Sequence, residues 1–149
     1  RAFPNLHNYL LCRESVGRLL DRAVKCRVPF LLSMSSGADW RTATAILREF
    51  PKLVCVISDV GLWGADRWFR PLVENYRNVY VEIGEYFLAG GIPDFVRWKG
   101  ARRMLFGTHF PDQDHGGMML TLRHAEIDDD DREAIASGNL ERILEEESL

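Results

Sequence analysis

The sequence predicts an α/β protein in which helices cover a parallel sheet. Three observations support this prediction: four short apolar segments rich in strand-forming residues, helical patterns between them, and a regular interval. The predicted strands end at Ser33, Asp59, Gly84 and His109. One strand end thus follows the next at a nearly constant interval, which accommodates one strand, one crossover helix and two loops. Apolar strands that alternate with helices are typical of a parallel sheet buried on both faces.

The individual elements follow from local patterns. The strands are predicted at residues 28–33, 53–59, 78–84 and 104–109. Between and before them, apolar residues recur at the i, i+3, i+4 spacing of amphipathic helices. The stripes consist of Val16, Leu19, Leu20, Ala23 and Val24; Ala43, Ile46, Leu47 and Phe50; Phe69, Leu72, Val73 and Tyr76; and Ile92, Phe95 and Val96.

The segment from about Ile127 has a different character. The stretch "DDDD" places negative charge where a helix begins, which the helix dipole favours. After it, Ile135, Ile143 and Leu144 form an apolar face around an expected break at Gly138–Asn139. We therefore predict one domain over residues 1–149, with a C-terminal helical segment from about residue 127.

Two architectures accommodate these elements: a doubly wound open sheet and part of a (β/α)8 barrel of the TIM type. A whole barrel needs about 250 residues, whereas this chain has 149, with four strands and a possible strand remnant at "RAF". No glycine-rich phosphate loop supports a nucleotide-binding sheet. Polar residues instead follow the carboxyl ends of successive strands, where barrel active sites are built. The sequence thus favours the C-terminal half of a TIM-type barrel.

Composition excludes several classes of function. A formal net charge of −3 without a long basic stretch argues against nucleic-acid binding. The longest apolar runs are too short to cross a bilayer, and no signal peptide is visible. Cys12, Cys26 and Cys55 lack CxxC spacing and lie in apolar patterns, so we expect reduced thiols in a cytoplasmic protein. The chain opens on "RAFPN" without a methionine, as a fragment would.

A series of motifs carries a family resemblance. In order, "PFLLS…SG", "REFPKLVCVISDVG", "NYRNVYVEIGEY", "ARRMLFGTHFP" and "IASGNLERIL" resemble the second half of the amidohydrolase-related family of metal-dependent hydrolases. The resemblance extends from about Phe3 to Leu144. It implies a (β/α)8 barrel in a superfamily of decarboxylases, lactonases and amide hydrolases, with a small-molecule substrate. It also implies that the first barrel strands come from a missing N-terminal half, or that contacts between identical subunits complete the fold.

Three positions depart from the pattern of the metal-dependent members. Where the family typically ends two successive strands in histidine, this chain has Ser33 and Asp59. Where the last strand typically carries a catalytic aspartate, "GTHFP" supplies His109. A less characterised branch of the family is similar in having histidine there. This similarity favours an altered but functional site over random decay.

The resemblance leaves several arrangements open for the altered site. A divalent metal lowers the pKa of a bound water in the usual mechanism, and the aspartate accepts its proton. Asp59 and His109 could form a pair in which the carboxylate orients an imidazole that acts as the base. Alternatively, both could bind a zinc or manganese ion with His7, which precedes Ser33 by one interval of the repeat. A third possibility is a site without metal that binds a ligand and does not hydrolyse it.

Four further residues are predicted to contact the substrate. Ser33 ends its strand, and Glu82 alternates with apolar neighbours so that it points into the barrel. Arg41 follows "SGADW" and could bind an anionic substrate, while Trp63 could line the pocket wall. We expect Ser33, Asp59, Glu82 and His109 to converge on one pocket. The predicted function is a hydrolase or related lyase for a small carboxylated or lactone-type molecule, the alternative being a ligand-binding or structural protein without activity.

Overall fold

A four-stranded parallel sheet forms the centre of the computed structural model, which describes residues 1–61 and 65–146. The strands are β1 (Phe30–Ser33), β2 (Cys55–Ser58), β3 (Val79–Glu82) and β4 (Met104–Leu105), and they lie side by side in chain order. Ala2 forms an isolated parallel bridge with Leu32, so the start of the chain occupies a further strand position beside β1. This parallel order agrees with the interval read from the sequence.

Seven α-helices accompany the strands in the described part of the chain. They are α1 (Arg13–Cys26), α2 (Trp40–Glu49), α3 (Asp66–Asn75), α4 (Gly91–Lys99), α5 (His115–Arg123), α6 (Asp129–Glu133) and α7 (Asn139–Glu145). The helices α2, α3 and α4 are the crossovers between successive strands. At the start of α2, the Asp39 carboxylate accepts a hydrogen bond from the Thr42 N–H at 2.7 Å, which satisfies an otherwise unpaired donor of the first turn.

The two faces of the sheet have different neighbours. Leu32, Ile57 and Val81 share one face and belong to the large core that includes the buried side chains of the helices. Side chains alternate between faces along a strand, so Ser33 and Ser58, which are in register, lie on the opposite face. Glu82 is on that face as well. The polar strand ends therefore lie on the face opposite the large core, which is the face that lines the interior of a closed barrel. On this face, Val56, Tyr80 and Leu105 pack with Ile143 of α7.

The last strand is shorter than the sequence predicts. The prediction covered residues 104–109, but β4 ends at Leu105. Beyond it, the Phe106 N–H donates to the Ile135 carbonyl at 2.9 Å, so the C-terminal segment binds the backbone that would continue the strand. His109 consequently lies in the loop that follows the strand.

The C-terminal segment also differs from its prediction. We expected a break at Gly138–Asn139, but a π-helical turn over Ala134–Gly138 joins α6 to α7 without leaving helical backbone angles. The Asn139 side chain is buried and donates to the carbonyls of Ala101 and Met104, each at 2.9 Å. These two bonds fix the C-terminal helix against the segment that leads into β4.

Two of the three cysteines are buried, and all three are free. Cys26 and Cys55 are buried, whereas Cys12 is half-buried. Burial raises the pKa of the Cys55 thiol to about 12, which keeps it in the unreactive protonated form. Among the described helices, none has the length and apolar character needed to span a membrane.

Candidate active site

Asp59 and His109 meet at the carboxyl ends of the strands. Asp59 follows β2 directly, and its Oδ1 lies 2.8 Å from Nδ1 of His109. Both residues have left-handed backbone conformations, with φ of 57° and 55°. Non-glycine residues adopt this region rarely, and such strain is concentrated at functional sites. The fold therefore holds these two side chains together at a conformational cost.

Asp59 is an ionised carboxylate surrounded by donors. Its side chain is 1% exposed, and Oδ2 lies 2.5 Å from Nη2 of Arg1. The hydroxyls of Ser33 and Ser35 also donate to Oδ2, that of Ser35 at 3.0 Å. Burial raises the pKa of Asp59, but hydrogen bonds from these serines and His109, with the charge of Arg1, outweigh burial and lower it overall.

The charge of Asp59 decides the tautomer of His109. A carboxylate can only accept a hydrogen bond, so Nδ1 of the neutral imidazole carries the proton. Nε2, the ring nitrogen that faces away from Asp59, then carries the lone pair. Glu85 Oε1 lies 3.5 Å and Asp112 Oδ2 3.6 Å from Nε2, and Glu85 also accepts a hydrogen bond from the Gln113 amide at 3.1 Å. His109 therefore lies between a buried carboxylate and two outer ones.

This cluster contains a possible metal site. Asp59, Glu85 and His109 each offer one ligand atom, and these atoms lie within 4.8 Å of one another. Imidazole nitrogen and carboxylate oxygen are ligands that zinc and manganese accept. A metal-binding histidine commonly donates its other N–H to a carboxylate, as His109 does to Asp59. Since Asp59 already pairs with the cationic Arg1, Glu85 and Nε2 of His109 are the better ligands of the set.

Glu82 lies next to this cluster and has the opposite electrostatic character. Its Oε1 accepts a hydrogen bond from the Gly84 N–H at 2.7 Å. Burial raises the pKa of Glu82, the Asp59 charge raises it further, and the favourable effects of Gly84, Arg1 and His109 do not compensate. The surroundings of Asp59 thus favour the ionised carboxylate, whereas those of Glu82 oppose it.

The structure brings only some of the predicted residues together. Ser33, Asp59 and His109 are in contact, with Glu82 beside them, whereas Arg41 is exposed on the first turn of α2 and Trp63 lies outside the described residues. His7 is exposed in a turn and is not part of the Asp59–Glu85–His109 group.

The sheet register explains the position of His7. Ala2, rather than a residue nearer His7, pairs with Leu32, so the chain has passed the level of Ser33 before it reaches His7. The regular interval therefore does not extend backward to this strand position, and His7 as a metal ligand stays a prediction.

Sequence reasoning missed Arg1 and Ser35 as partners of Asp59 and left Glu85 out of the metal set. For Glu85 a signal exists, because Ser33, Asp59 and Glu85 are evenly spaced along the chain. No sequence pattern singles out Arg1, whose contact depends on the pairing of Ala2 with β1.

Comparison with known proteins agrees with this architecture. A family model described as amidohydrolase matches residues 7–145. No curated protein gives a significant match. Among solved structures, an uncharacterised TIM-barrel protein from Bordetella bronchiseptica is 24% identical, with a TM-score of 0.71 over 91% of this chain and 52% of its own.

Two solved decarboxylases are also similar in fold. The 2,6-dihydroxybenzoate decarboxylase from Rhizobium is 17% identical, with a TM-score of 0.63 over 84% of this chain and 53% of its own. The 5-carboxyvanillate decarboxylase from Sphingomonas paucimobilis is 17% identical, with a TM-score of 0.54 over 70% of this chain and 39% of its own.

The solved structures establish the fold, and the family model establishes the family. The chain spans about half the length of the Bordetella and Rhizobium proteins, and its strands correspond to part of their TIM barrels. A match over residues 7–145 covers almost all of the 149 residues. With TIM-barrel architecture and polar strand ends gathered at one site, the chain belongs to the amidohydrolase family.

Proposed function

We propose that this chain carries the proton-transfer groups of a hydrolase for a small carboxylated or lactone-type molecule. The observation that supports this proposal is the contact of 2.8 Å between buried Asp59 and Nδ1 of His109. It leaves Nε2 as a base at the edge of the sheet where TIM-barrel active sites lie. His109 thus takes over the proton-accepting role that an aspartate has in related proteins.

In the proposed reaction, His109 Nε2 accepts a proton from a water molecule that attacks the carbonyl carbon of the substrate. The new bond joins the water oxygen to that carbon, and the C–O bond of the lactone breaks. Asp59 holds the ring in orientation and stabilises the imidazolium that forms, as the carboxylate of a catalytic triad does. Ser33 and Glu82 are the proposed substrate contacts, because both face the barrel interior beside Asp59.

A divalent cation is an alternative occupant of the same nitrogen. Glu85 and His109 Nε2 would hold it, with Asp59 orienting the imidazole, and a bound zinc or manganese ion lowers the pKa of its water. A nitrogen that binds a metal cannot also accept a proton, so the two arrangements exclude one another. Metal content of the purified protein, measured by mass spectrometry of the elements, distinguishes them.

Decarboxylation is the second candidate function. Two of the solved structures with this fold are decarboxylases of aromatic carboxylic acids. In that reaction the carbon–carbon bond to the carboxylate breaks, carbon dioxide leaves, and a proton replaces it on the ring. Assays should therefore include hydroxybenzoates beside lactones.

The proposal requires a completed barrel. Each terminal strand position, that of Ala2 and that of β4, is paired on one side within the described residues. We propose that residues 1–149 form a single domain, which makes up half of a barrel. The remaining strands then come from another part of a longer chain or from a second copy of this chain. A cytoplasmic location remains part of the proposal, in accordance with the three free cysteines.

A pair of histidine variants tests the function in the full-length protein. His109→Ala should lower turnover of a lactone or hydroxybenzoate by about 10²–10⁴-fold, the usual contribution of general acid–base catalysis. His115→Ala is the matched control, since His115 is exposed at the start of α5, and should retain nearly full activity. Wild-type turnover in His109→Ala would refute the proposal. Ligand-dependent thermal stabilisation without turnover would instead favour the ligand-binding alternative.

A further inference from the structure

The carboxyl group of Glu82 occupies space that two glycines leave open. A Cβ atom at Gly107 would lie 1.4 Å from Glu82 Oε1, and one at Gly84 would lie 2.5 Å from the same atom. Neither glycine has a left-handed backbone, so their conformation does not require glycine. Glycine is required at both positions because the Glu82 carboxyl group occupies the space that a Cβ atom would take. The segments after β3 and β4 are thus shaped around this one side chain.

The space between Gly84 and Gly107, here called the cradle, offers Glu82 few groups that stabilise a negative charge. Within residues 1–61 and 65–146, its carboxylate accepts one hydrogen bond, from Gly84, and forms no ion pair. The charged groups that face it come from three other elements: Arg1 beside β1, Asp59 after β2 and His109 after β4. Arg1 is already bound to Asp59. A carboxyl group in such a place is better accommodated as the neutral acid.

Asp59 and Glu82 are therefore a pair of nearby carboxyl groups in opposite environments. The former accepts hydrogen bonds from hydroxyls, an imidazole and a guanidinium, while the latter accepts one from a backbone amide. Two titratable groups driven apart in this way mark the acid and the base of a site. Burial and the charge of Asp59, which raise the pKa of Glu82, act in the same direction as this geometry.

From this arrangement we infer that Glu82 is the proton donor of the site and acts as a neutral carboxylic acid opposite the Asp59–His109 pair. The inference rests on the proposed function. When the C–O bond of a lactone breaks, its electron pair stays on the leaving oxygen, and the Glu82 proton binds there. His109 holds the proton taken from the attacking water. Solvent at the barrel mouth then restores a proton to Glu82 and removes one from His109, so that the net reaction consumes one water.

The protonation state can be measured without a substrate. In the full-length protein with ¹³C-labelled glutamate side chains, the signal that Glu82→Gln removes identifies Glu82. That signal should titrate at a higher pH than a glutamate side chain in a model peptide. Gly107→Ala, which forces the carboxyl group out of the cradle, should return it to the ordinary range. A Glu82 signal that titrates at or below the model-peptide value would overturn the inference.

Kinetic measurements separate this inference from the proposed function, once assays with lactones have identified a substrate. Glu82→Gln should lower kcat by about 10²–10⁴-fold and remove the fall in rate at high pH that loss of the donor proton causes. Gln keeps the shape of the acid, so the fold should survive. If His109→Ala loses turnover while Glu82→Gln keeps wild-type kcat and pH dependence, the donor assignment fails and the proposed function stands. If the wild-type protein turns over no substrate, the proposed function fails, and the donor role with it.

Discussion

Replacement of Asp59 by asparagine tests the physical basis of the site most directly. The substitution keeps the size of the side chain but removes its charge and one acceptor oxygen. Within the described residues, five groups donate to this carboxylate: Arg1, Ser33, Ser35, Ser58 and His109. An amide can accept from only some of them, and its NH2 group faces donors that it cannot bind.

The structure sets the expected size of the effect. A hydrogen bond to a charged group contributes about 1.5–3 kcal/mol. The Arg1 side chain is 36% exposed, so solvent screens its share of the interaction. Two of the donors should remain satisfied by the amide oxygen or by water. We therefore expect Asp59→Asn to lower the free energy of unfolding by about 3 kcal/mol, equivalent to a fall in Tm of about 10 °C.

Urea denaturation and thermal melts followed by circular dichroism would measure this loss. Asp112→Asn is the matched control, because Asp112 lies on the other side of the same imidazole and its side chain is 80% exposed. It should change stability by less than about 0.5 kcal/mol. Equal effects of the two substitutions would refute the reasoning, because burial and the number of donors would then be irrelevant.

Three further predictions concern pH and packing. Because the pKa of Asp59 is lowered, the stability difference between wild type and Asp59→Asn should be full at neutral pH and should disappear as the pH falls through the folded-state pKa. Urea titrations at successive pH values would measure this difference, and a difference that stays constant with pH would contradict the prediction. For Glu82, the change of stability with pH has the opposite sign. Because its pKa is raised, wild type should lose stability relative to Glu82→Gln as the pH increases from the ordinary glutamate pKa to the folded-state pKa. A gain in wild-type stability over this range in the same titrations would contradict the prediction. Asn139→Ala should cost about 2–3 kcal/mol in chemical denaturation, since two carbonyls lose their donor, whereas Asn75→Ala, which removes one exposed bond, should cost far less.

The repeat in the sequence was a reliable guide to architecture. Each βα unit must return the chain to the same edge of the sheet, and this requirement keeps the number of residues per unit nearly constant. Ser33 and Asp59 could therefore be assigned to one end of the sheet, and the structure places them in contact. The alternation of Glu82 with apolar neighbours likewise indicated its face, because side chains alternate along any strand.

Contacts across the fold escaped prediction for a common reason. The end of β4 depends on a backbone hydrogen bond between Phe106 and Ile135. The contact of Arg1 with Asp59 depends on how Ala2 pairs with β1. Neither pairing has a periodic signal. The same limit applies to His7, whose interval from Ser33 matches the repeat although the strand position of Ala2 does not follow it.

By itself, the sequence determined a parallel α/β sheet and the residues at its polar edge, because hydrophobic periodicity and unit length are local properties of a chain. The tertiary structure decided which of the arrangements left open by the sequence forms. It joined Asp59 to His109 and Arg1, turned Glu85 toward the same imidazole, and enclosed Glu82 between Gly84 and Gly107. Protonation of these groups depends on burial and on neighbours remote in sequence, and both exist only once the chain has folded.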